Sequence, residues 1–333
     1  MIALAQFVFV LLGATIVLAL PNGIFIPRTS LRYQHIQDDV GRLHLIDLWA
    51  PDTDFSARYN PDIQNQYHLF TRKNPSVSQP LVRGLEDLVK SSNFDASLRT
   101  AILIYGWGDD ARGSFNAAVL AAFLAAEDMN VIVVDWSAGN SGLNLVRAVQ
   151  NTILSGASVV RFILWLNSIT GANLSQYHVV GYSLGGHQAG AVGKNLGGMV
   201  AYITALDPAR PLFENNPDKF ASTDAVYTEV IHTNGGGLGY LEPLGDVDFY
   251  PNGGVKMAGC LTSLCSHDRV FHYFAESIRG GVFTGRKCKS YQHAVNGDCP
   301  SEDTLLMGGV KPKTGYSGVY YLQTNSWPPY SRG

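Results

Sequence analysis

The segment Gly181-Tyr182-Ser183-Leu184-Gly185 has residue types and spacing that indicate chemistry. It matches the G-x-S-x-G pattern of a nucleophile elbow, in which a serine lies on a sharp turn between a strand and a helix. Residues 177–180 before it favour a strand, and the residues after Ser183 are small and compatible with a helix. Glycine at both flanking positions removes side chains that would collide in so tight a turn. The pattern predicts a strained, nucleophilic Ser183 with its hydroxyl exposed above a sheet, against the alternative of a structural turn in a chain with 35 glycines.

A serine nucleophile needs an orienting acid, and Asp207 has the sequence context for that role. In α/β-hydrolases the chain order is serine, then Asp or Glu, then histidine. Asp207 follows the strand-like run 202–206 and precedes Pro208, although Asp-Pro is also a common turn. Asp135 follows a similar apolar run but precedes Ser183, so it has the wrong order.

The general base must be a histidine after the acid, and spacing alone leaves the choice open. Four of the nine histidines follow Asp207: His232, His267, His272 and His293. His267 lies in the segment 260–269, which we expect to be a loop pinned by a disulfide. His232 lies in a strand pattern, where a packed core histidine is the simpler role, and His272 lies in a helix predicted over residues 269–278.

Two backbone N–H groups must stabilise the oxyanion that forms during acyl transfer. One comes from the residue after the nucleophile, here Leu184. The other comes from the loop after an early strand, and the run 102–108 fits this description. Gly106 lets that loop turn towards the site, so Trp107 is the predicted second donor.

Short β-branched runs alternate with longer helical patterns along the chain. The predicted strands are 67–71, 101–105, 131–135, 178–180, 203–206, 226–232 and, last, 315–325, and the main predicted helices are 114–128 and 143–166. Continuous apolar strands alternating with helices predict a doubly wound, mostly parallel sheet flanked by helices. Ligands bind such sheets at the carboxyl ends of the strands, where Ser183 falls.

The first residues read as a targeting segment. Residues 1–19 are apolar, have the length of a signal peptide and end in Val17-Leu18-Ala19, a small-residue cleavage site. A basic n-region is missing, and an uncleaved membrane anchor is the alternative. We expect cleavage, which leaves residues 20–333 as one domain with no later segment long and apolar enough to span a bilayer.

Composition excludes some partners and favours an oxidising compartment. Charged residues make up 15% of the chain, the formal net charge is −3, and no Lys/Arg cluster stands out, which argues against nucleic-acid binding. The chain has four cysteines, an even number that can pair fully in disulfides, as expected of a secreted, extracellular protein. Asn173-Leu174-Ser175 is the one glycosylation sequon, and it agrees with secretion.

The ordered motifs resemble those of the pancreatic lipase family, particularly the insect neutral lipases and related phospholipases A1. The landmarks run from Arg72 to Asn325: Thr71-Arg72-Lys73-Asn74-Pro75, Tyr105-Gly106-Trp107, Val134-Asp135-Trp136, Gly181 to His187, Leu206-Asp207-Pro208-Ala209, Val230 to Thr233, Asp248 to Gly254, Gly259-Cys260 and Cys265-Ser266-His267. The resemblance implies an α/β-hydrolase fold with Ser183 as nucleophile, Asp207 as acid and His267 as base. It also implies that Trp107 and Leu184 form the oxyanion hole.

Four departures from the family's pattern modify this expectation. The family's lid lies between the cysteines that match Cys260 and Cys265, but here four residues separate them, so we expect an open site with little interfacial activation. The family's calcium site is matched by Asp224, but Ala221 replaces a second carboxylate, so we predict no metal and no cofactor. The C-terminal β-sandwich that docks colipase is missing, which predicts no colipase partner. Tyr105 and Tyr182 replace two histidines, and we expect the site to tolerate this.

The resemblance also implies two disulfides, Cys260–Cys265 and Cys288–Cys299, although two other pairings remain open on arithmetic alone. The expected function is that of a secreted lipid carboxylic ester hydrolase, a triacylglycerol lipase or phospholipase A1, working at a micelle or membrane surface. The alternatives are a non-catalytic lipid-binding or yolk-type homologue, which would be expected to lose Ser183 or His267, and a peptidase on the same fold.

Overall fold

The computed structural model describes residues 33–37, 40–47, 59–140 and 144–333. The predicted signal peptide, residues 1–19, lies outside the described residues. The strands are β1 (Tyr33–Gln37), β2 (Leu43–Asp47), β3 (Gln66–Phe70), β4 (Gln79–Leu81), β5 (Thr100–Ile104), β6 (Asn130–Asp135), β7 (Tyr177–Tyr182), β8 (Tyr202–Leu206), β9 (Thr228–Ile231), β10 (Val247–Pro251), β11 (Thr284–Cys288), β12 (Thr304–Leu306) and β13 (Gly318–Leu322). The helices are α1 (Pro61–Gln64), α2 (Glu86–Lys90), α3 (Ser114–Ala126), α4 (Ser137–Asn140), α5 (Leu145–Thr170), α6 (Leu184–Asn195), α7 (Ser263–Ile278) and α8 (Tyr291–Asn296).

Eleven of these strands form one sheet, in the order β12-β11-β13-β10-β9-β8-β7-β5-β6-β3-β4. The seven strands from β13 to β6 run parallel, and antiparallel strands flank them on both sides. All residues of β5, β7 and β8 are buried, as expected of parallel strands covered on both faces. The predicted α/β-hydrolase fold is therefore confirmed.

Helices cover both faces of the sheet, as alternate side chains of β7 demonstrate. The Tyr177 hydroxyl donates to Asn167 of α5 over 2.7 Å. The next residue, His178, makes edge-to-face contacts with Phe123 of α3 and Phe274 of α7. Because successive side chains of a strand point to opposite faces, α5 lies on one side of the sheet and the pair α3 and α7 on the other.

The expectation that no segment after residue 19 is apolar enough to span a bilayer is wrong on length and composition. Helix α5 has 26 residues and a mean hydropathy of 1.4 over its most apolar stretch, half of which is buried inside the protein. Its buried polar residues bond to neighbouring elements: Asn151 donates to Gly139 O over 2.7 Å, and Ser155 accepts from Gln188 over 2.6 Å. These contacts are those of a core helix packed on α6.

Strands β1 and β2 form a separate antiparallel hairpin that the sequence interpretation did not predict. Burial alternates along β2, so that His44 and Ile46 are buried while Leu43 and Leu45 are more than half exposed. On β1, Ile36 is buried in the main hydrophobic core. The hairpin therefore presents apolar side chains both to the protein and to its surroundings.

Candidate active site

Ser183 lies at the turn between β7 and α6, as the motif predicts. Its backbone dihedrals are φ 55° and ψ −120°, a strained conformation for a residue with a side chain. A Cβ on Gly181 would come within 2.0 Å of the Gly185 carbonyl oxygen, and one on Gly185 within 2.1 Å of the Ile104 carbonyl oxygen. The two glycines thus let the elbow close on itself and on the neighbouring strand β5.

Asp207 follows β8 and also has a positive φ, 40°. Its carboxylate accepts hydrogen bonds from the backbone N–H groups of Thr233 and Asn234 at 2.7 and 3.0 Å. His267 Nδ1 lies 2.5 Å from Asp207 Oδ2, and both side chains are fully buried. A Cβ at Gly239 would lie 2.4 Å from either carboxylate oxygen. Only glycine at this position therefore leaves enough space for the Asp207 carboxylate.

The location of His267 corrects one expectation. The histidine does not lie in a loop but in α7, which begins at Ser263, six residues before the predicted helix start at Arg269. Thr262 caps the helix by accepting from Cys265 N over 3.1 Å. The disulfide Cys260–Cys265 closes across this helix start, so it restrains the helix that carries His267.

The other histidines that spacing left open have different surroundings. His232 is fully buried, with Nδ1 2.8 Å from Tyr240 O and Nε2 2.9 Å from Asp248 Oδ1. His272 is exposed on α7, and His293 Nδ1 lies 2.9 Å from the Ser290 hydroxyl. Of these four, the structure brings His267 to Asp207 and to the pocket beside Ser183.

Hydrogen bonds to neighbouring residues fix the loop that carries the predicted oxyanion donor Trp107. The Tyr105 hydroxyl donates to Asp135 over 2.5 Å, and the Asn140 amide donates to Gly106 O over 2.8 Å. Burial pushes the pKa of Asp135 upward, but the hydrogen bonds from Tyr105 and Ser137 outweigh it and the pKa is lowered. Trp107 and Leu184 both line the pocket that Ser183 and His267 share. Asp135 thus accepts hydrogen bonds around this loop, whereas the carboxylate that His267 contacts is that of Asp207.

The hairpin covers this pocket, which is a second correction. We expected an exposed serine in an open site, but Ser183 is 4% exposed and Ile36 and Gln37 line the pocket beside it. The remaining volume is about 20 Å³, room for water but not for an acyl chain. The hairpin, and not the loop between Cys260 and Cys265, provides these lining residues.

Two contacts hold the hairpin over the site, and its turn lies close to α7. The His44 and Trp107 rings lie 4.6 Å apart, and the Arg42 guanidinium donates to Gly108 O over 3.1 Å. At the hairpin turn, a Cβ on Gly41 would lie 3.2 Å from Leu264 of α7. The hairpin thus bridges the oxyanion loop and the helix that carries His267. The one signal of it in the sequence is the alternation of residues 43–47.

His187 on α6 supports the site without lining the pocket. Its Nε2 lies 2.7 Å from Ala209 O, its Nδ1 accepts from Phe220 N over 3.0 Å, and its ring stacks on Phe213. Burial lowers the pKa of His187 to about 3. The neutral ring therefore ties the helix after Ser183 to the segment after Asp207.

The remaining predicted site residues are placed as follows. Both implied disulfides, Cys260–Cys265 and Cys288–Cys299, are present. Asn173 is exposed, and its side chain caps the short 3-10 helix Leu174–Gln176 by accepting from Ser175 N. Glycosylation at this residue stays a prediction.

The residues around Asp224 do not fit a calcium ion. Calcium takes six to eight oxygen ligands, usually several of them carboxylates. Asp224 is buried, which raises its pKa to about 6, and Ala221 beside it has no side-chain oxygen. Within the described ranges, no group of three or more His, Cys, Asp and Glu side chains is arranged to hold a metal.

Comparison with known proteins adds to this geometry. The sequence profile of a family described as Lipase matches residues 49–330. Human pancreatic lipase-related protein 2 is 33% identical over 292 residues, covering 78% of this chain and 60% of that protein. Human pancreatic triacylglycerol lipase is 32% identical over 314 residues, covering 85% and 64%. The chain thus spans about three-fifths of the length of these curated relatives.

Among solved structures, a carboxylesterase from Mesorhizobium loti has a TM-score of 0.32 at 18% identity, covering 43% of this chain and 71% of that one. This overlap is too small to carry an argument, so the fold is assigned from the order and direction of the strands in the sheet.

Proposed function

The chain belongs to the pancreatic lipase family, and on that premise we propose that it is a serine carboxylic ester hydrolase that acts on lipids. The observation that carries the proposal is the 2.5 Å contact between His267 Nδ1 and Asp207 Oδ2, in a pair that shares its pocket with Ser183. The strained elbow at Ser183 supports the same assignment.

In the proposed mechanism Ser183 Oγ attacks the acyl carbonyl while His267 takes its proton. Asp207 holds the imidazole in the required tautomer and stabilises the imidazolium that forms. The backbone N–H groups of Trp107 and Leu184 stabilise the tetrahedral oxyanion. His267 then protonates the departing alcohol, and a water molecule, deprotonated by His267, hydrolyses the acyl-enzyme.

Entry of the acyl chain requires the hairpin to move. The residual volume of about 20 Å³ beside Ser183 is too small for a substrate, and Ile36 fills the adjoining space. A two-stranded hairpin is marginally stable by itself, so displacement of β1 and β2 is the motion that we propose opens the site. The four residues between Cys260 and Cys265 are too few to act as the lid.

Triacylglycerol hydrolysis is the first candidate activity and phospholipase A1 activity the second. The short cysteine loop favours the second, because it leaves space at the mouth for a polar headgroup once the hairpin is displaced. The two disulfides support secretion, since such bonds persist in oxidising compartments. We propose that the protein needs no calcium.

Ser183→Ala tests the enzymatic proposal. We expect ester hydrolysis to fall by several orders of magnitude with an unchanged melting temperature. A fluorophosphonate probe should label the wild-type protein stoichiometrically at Ser183 and leave the variant unlabelled. Substantial residual hydrolysis in the variant, or a wild-type protein that the probe does not label, would overturn the assignment in favour of a lipid carrier.

A substrate panel distinguishes the two activities. Tributyrin, triolein and phosphatidylcholine should be assayed above and below the concentration at which they aggregate. Release of the sn-1 acyl chain from phosphatidylcholine supports phospholipase A1 activity, and hydrolysis confined to the triglycerides excludes it.

A further inference from the structure

A hydrogen bond joins the residue before the proposed nucleophile to the residue after the proposed base. Tyr182 is the last residue of β7 and precedes Ser183, while Asp268 follows His267 on α7. The Tyr182 hydroxyl donates to Asp268 Oδ1 over 2.6 Å. The bond therefore spans from the sheet to the helix at the level of the site.

The surroundings of Tyr182 fix the direction of its hydroxyl. The side chain is 1% exposed, and its ring makes an edge-to-face contact with Phe271 at 5.3 Å and lies 5.7 Å from Phe115. Its ring centroid is 4.9 Å from that of His267. The ring is contacted on three sides, and its hydroxyl is directed at Asp268.

Ser183 and His267 lie on elements that no backbone ladder connects. Ser183 follows the central strand β7, whose position is fixed by ladders to β5 and β8. His267 lies on α7, which packs over the sheet beside α3. Packed helices can shift by an ångström or more relative to a sheet, and a 1 Å misplacement of catalytic groups can reduce a rate by about 10².

We propose that Tyr182 is a positioning residue whose hydrogen bond to Asp268 sets the distance between Ser183 and His267. The proposal rests on the proposed function of these two residues. It assigns to Tyr182 a task in the reaction that the G-x-S-x-G pattern leaves open, because the pattern accepts any residue at that position.

Tyr182→Phe tests the proposal, because it removes the hydroxyl and keeps the ring. We expect kcat for p-nitrophenyl butyrate to fall about tenfold with KM within about twofold, since the variant binds the ester but aligns its catalytic groups poorly. The rate of inactivation by diethyl p-nitrophenyl phosphate should fall in parallel, because it uses the same serine and base.

Tyr177→Phe is the matched control. Tyr177 is the first residue of the same strand, is equally buried, and donates its hydroxyl to Asn167 on the other face of the sheet. Both variants should lose a similar, small amount of stability in thermal unfolding, whereas the kcat loss should appear in Tyr182→Phe alone. An equal loss in both variants would mean a general effect on the strand and would overturn the proposal.

Asp268→Ala breaks the same bond from the helix side and serves if Tyr182→Phe does not fold. The double variant should be no slower than the slower single variant, because both substitutions remove the same hydrogen bond between Tyr182 and Asp268. A Tyr182→Phe enzyme with wild-type kcat, or fully additive losses, would refute the positioning role. A wild-type protein that neither hydrolyses esters nor reacts with the phosphate would refute the proposed function instead.

Discussion

The protein contains two fully buried His–Asp pairs that look alike and have different surroundings. In one, His267 Nδ1 lies 2.5 Å from Asp207. In the other, His232 Nε2 lies 2.9 Å from Asp248, whose carboxylate also accepts from the backbone N–H groups of Leu244 and Gly245. Each carboxylate is thus cradled by two backbone N–H groups, and each bonds one imidazole.

The two histidines differ in the space beside the ring. His232 uses both nitrogens within the fold, because Nδ1 bonds to the Tyr240 carbonyl. His267 lines the pocket that contains Ser183. Pairing with a carboxylate is therefore common to a structural and a proposed catalytic histidine, and access to a nucleophile distinguishes them.

Replacing His267 tests the catalytic half of this comparison and should have the largest effect. We expect His267→Ala to lower kcat by about 10⁶, as loss of the base does in other serine hydrolases. Steady-state kinetics on p-nitrophenyl butyrate measure the loss. Retention of more than about 1% of wild-type kcat would contradict the assignment of the base.

Replacing His232 tests the structural half. His232→Ala leaves the Asp248 carboxylate buried without its partner, which typically costs about 3–5 kcal/mol. The free energy of unfolding, from urea titration, should fall by that amount, whereas kcat per probe-labelled site should stay within about fivefold. A large kcat loss with unchanged stability would erase the distinction between the two pairs.

The cradle of Asp207 offers a sharper test of how the catalytic pair is held. Gly239→Ala places a methyl group 2.4 Å from both carboxylate oxygens, so the carboxylate must shift. We expect kcat to fall about 10²-fold. Gly236→Ala in the same loop is the control, because its φ of 79° adds backbone strain but nothing lies within 4 Å. Equal kcat losses would attribute the effect to the loop and not to Asp207.

We propose that the hairpin controls access to His267, and Ile46→Ser tests this. Ile46 is 3% exposed on the inner face of β2, and loss of its apolar contacts weakens the closed arrangement. Turnover of monomeric p-nitrophenyl butyrate should rise about threefold to tenfold, equivalent to about 0.7–1.4 kcal/mol. Leu45→Ser, on the exposed face, should leave this rate unchanged. Equal rates in wild-type and Ile46→Ser proteins would exclude the hairpin as the barrier.

Asp224 is a third buried carboxylate, and unlike Asp207 and Asp248 it is not bonded to a histidine. Its replacement should have the smallest effect of the substitutions considered. Its pKa is raised to about 6 by burial, so the unfolded chain ionises first and stability is lost as pH rises from about 4 to 6. Asp224→Asn removes this loss, and its melting temperature should exceed that of the wild type by about 2–4 °C at pH 8 and by less at pH 4. A difference independent of pH would contradict this explanation.

Local constraints made part of the site predictable from the sequence. The Ser183 elbow requires glycine at positions 181 and 185, and the strand before Asp207 places that residue at the same sheet edge. Choosing His267 among four histidines needed the family resemblance, because which histidine meets Asp207 depends on packing over 60 residues of chain. Its location on a helix was missed because Thr262 caps that helix without the Glu or Gln three residues later that strengthens the signal.

Two further features left little trace in the sequence. The N–H groups of Thr233 and Asn234 hold Asp207 through the backbone, which any residue but proline provides. The inner face of the hairpin lies against Trp107 and α7, which are distant in sequence. Local periodicity could therefore not show that the hairpin covers the pocket. The roles of Ser183, Asp207 and His267 in catalysis stay predictions until tested.

The hairpin also affects how tightly a substrate is held. In the proposed mechanism an ester binds productively only to molecules in which β1 and β2 have moved, so the apparent Kd equals the intrinsic value divided by the open fraction. If one molecule in about ten is open, the affinity falls about tenfold. A fully soluble ester makes no additional interaction that would offset this loss. Any surface that prefers the open form, such as one that takes up the exposed Leu43 and Leu45, would raise activity without touching Ser183.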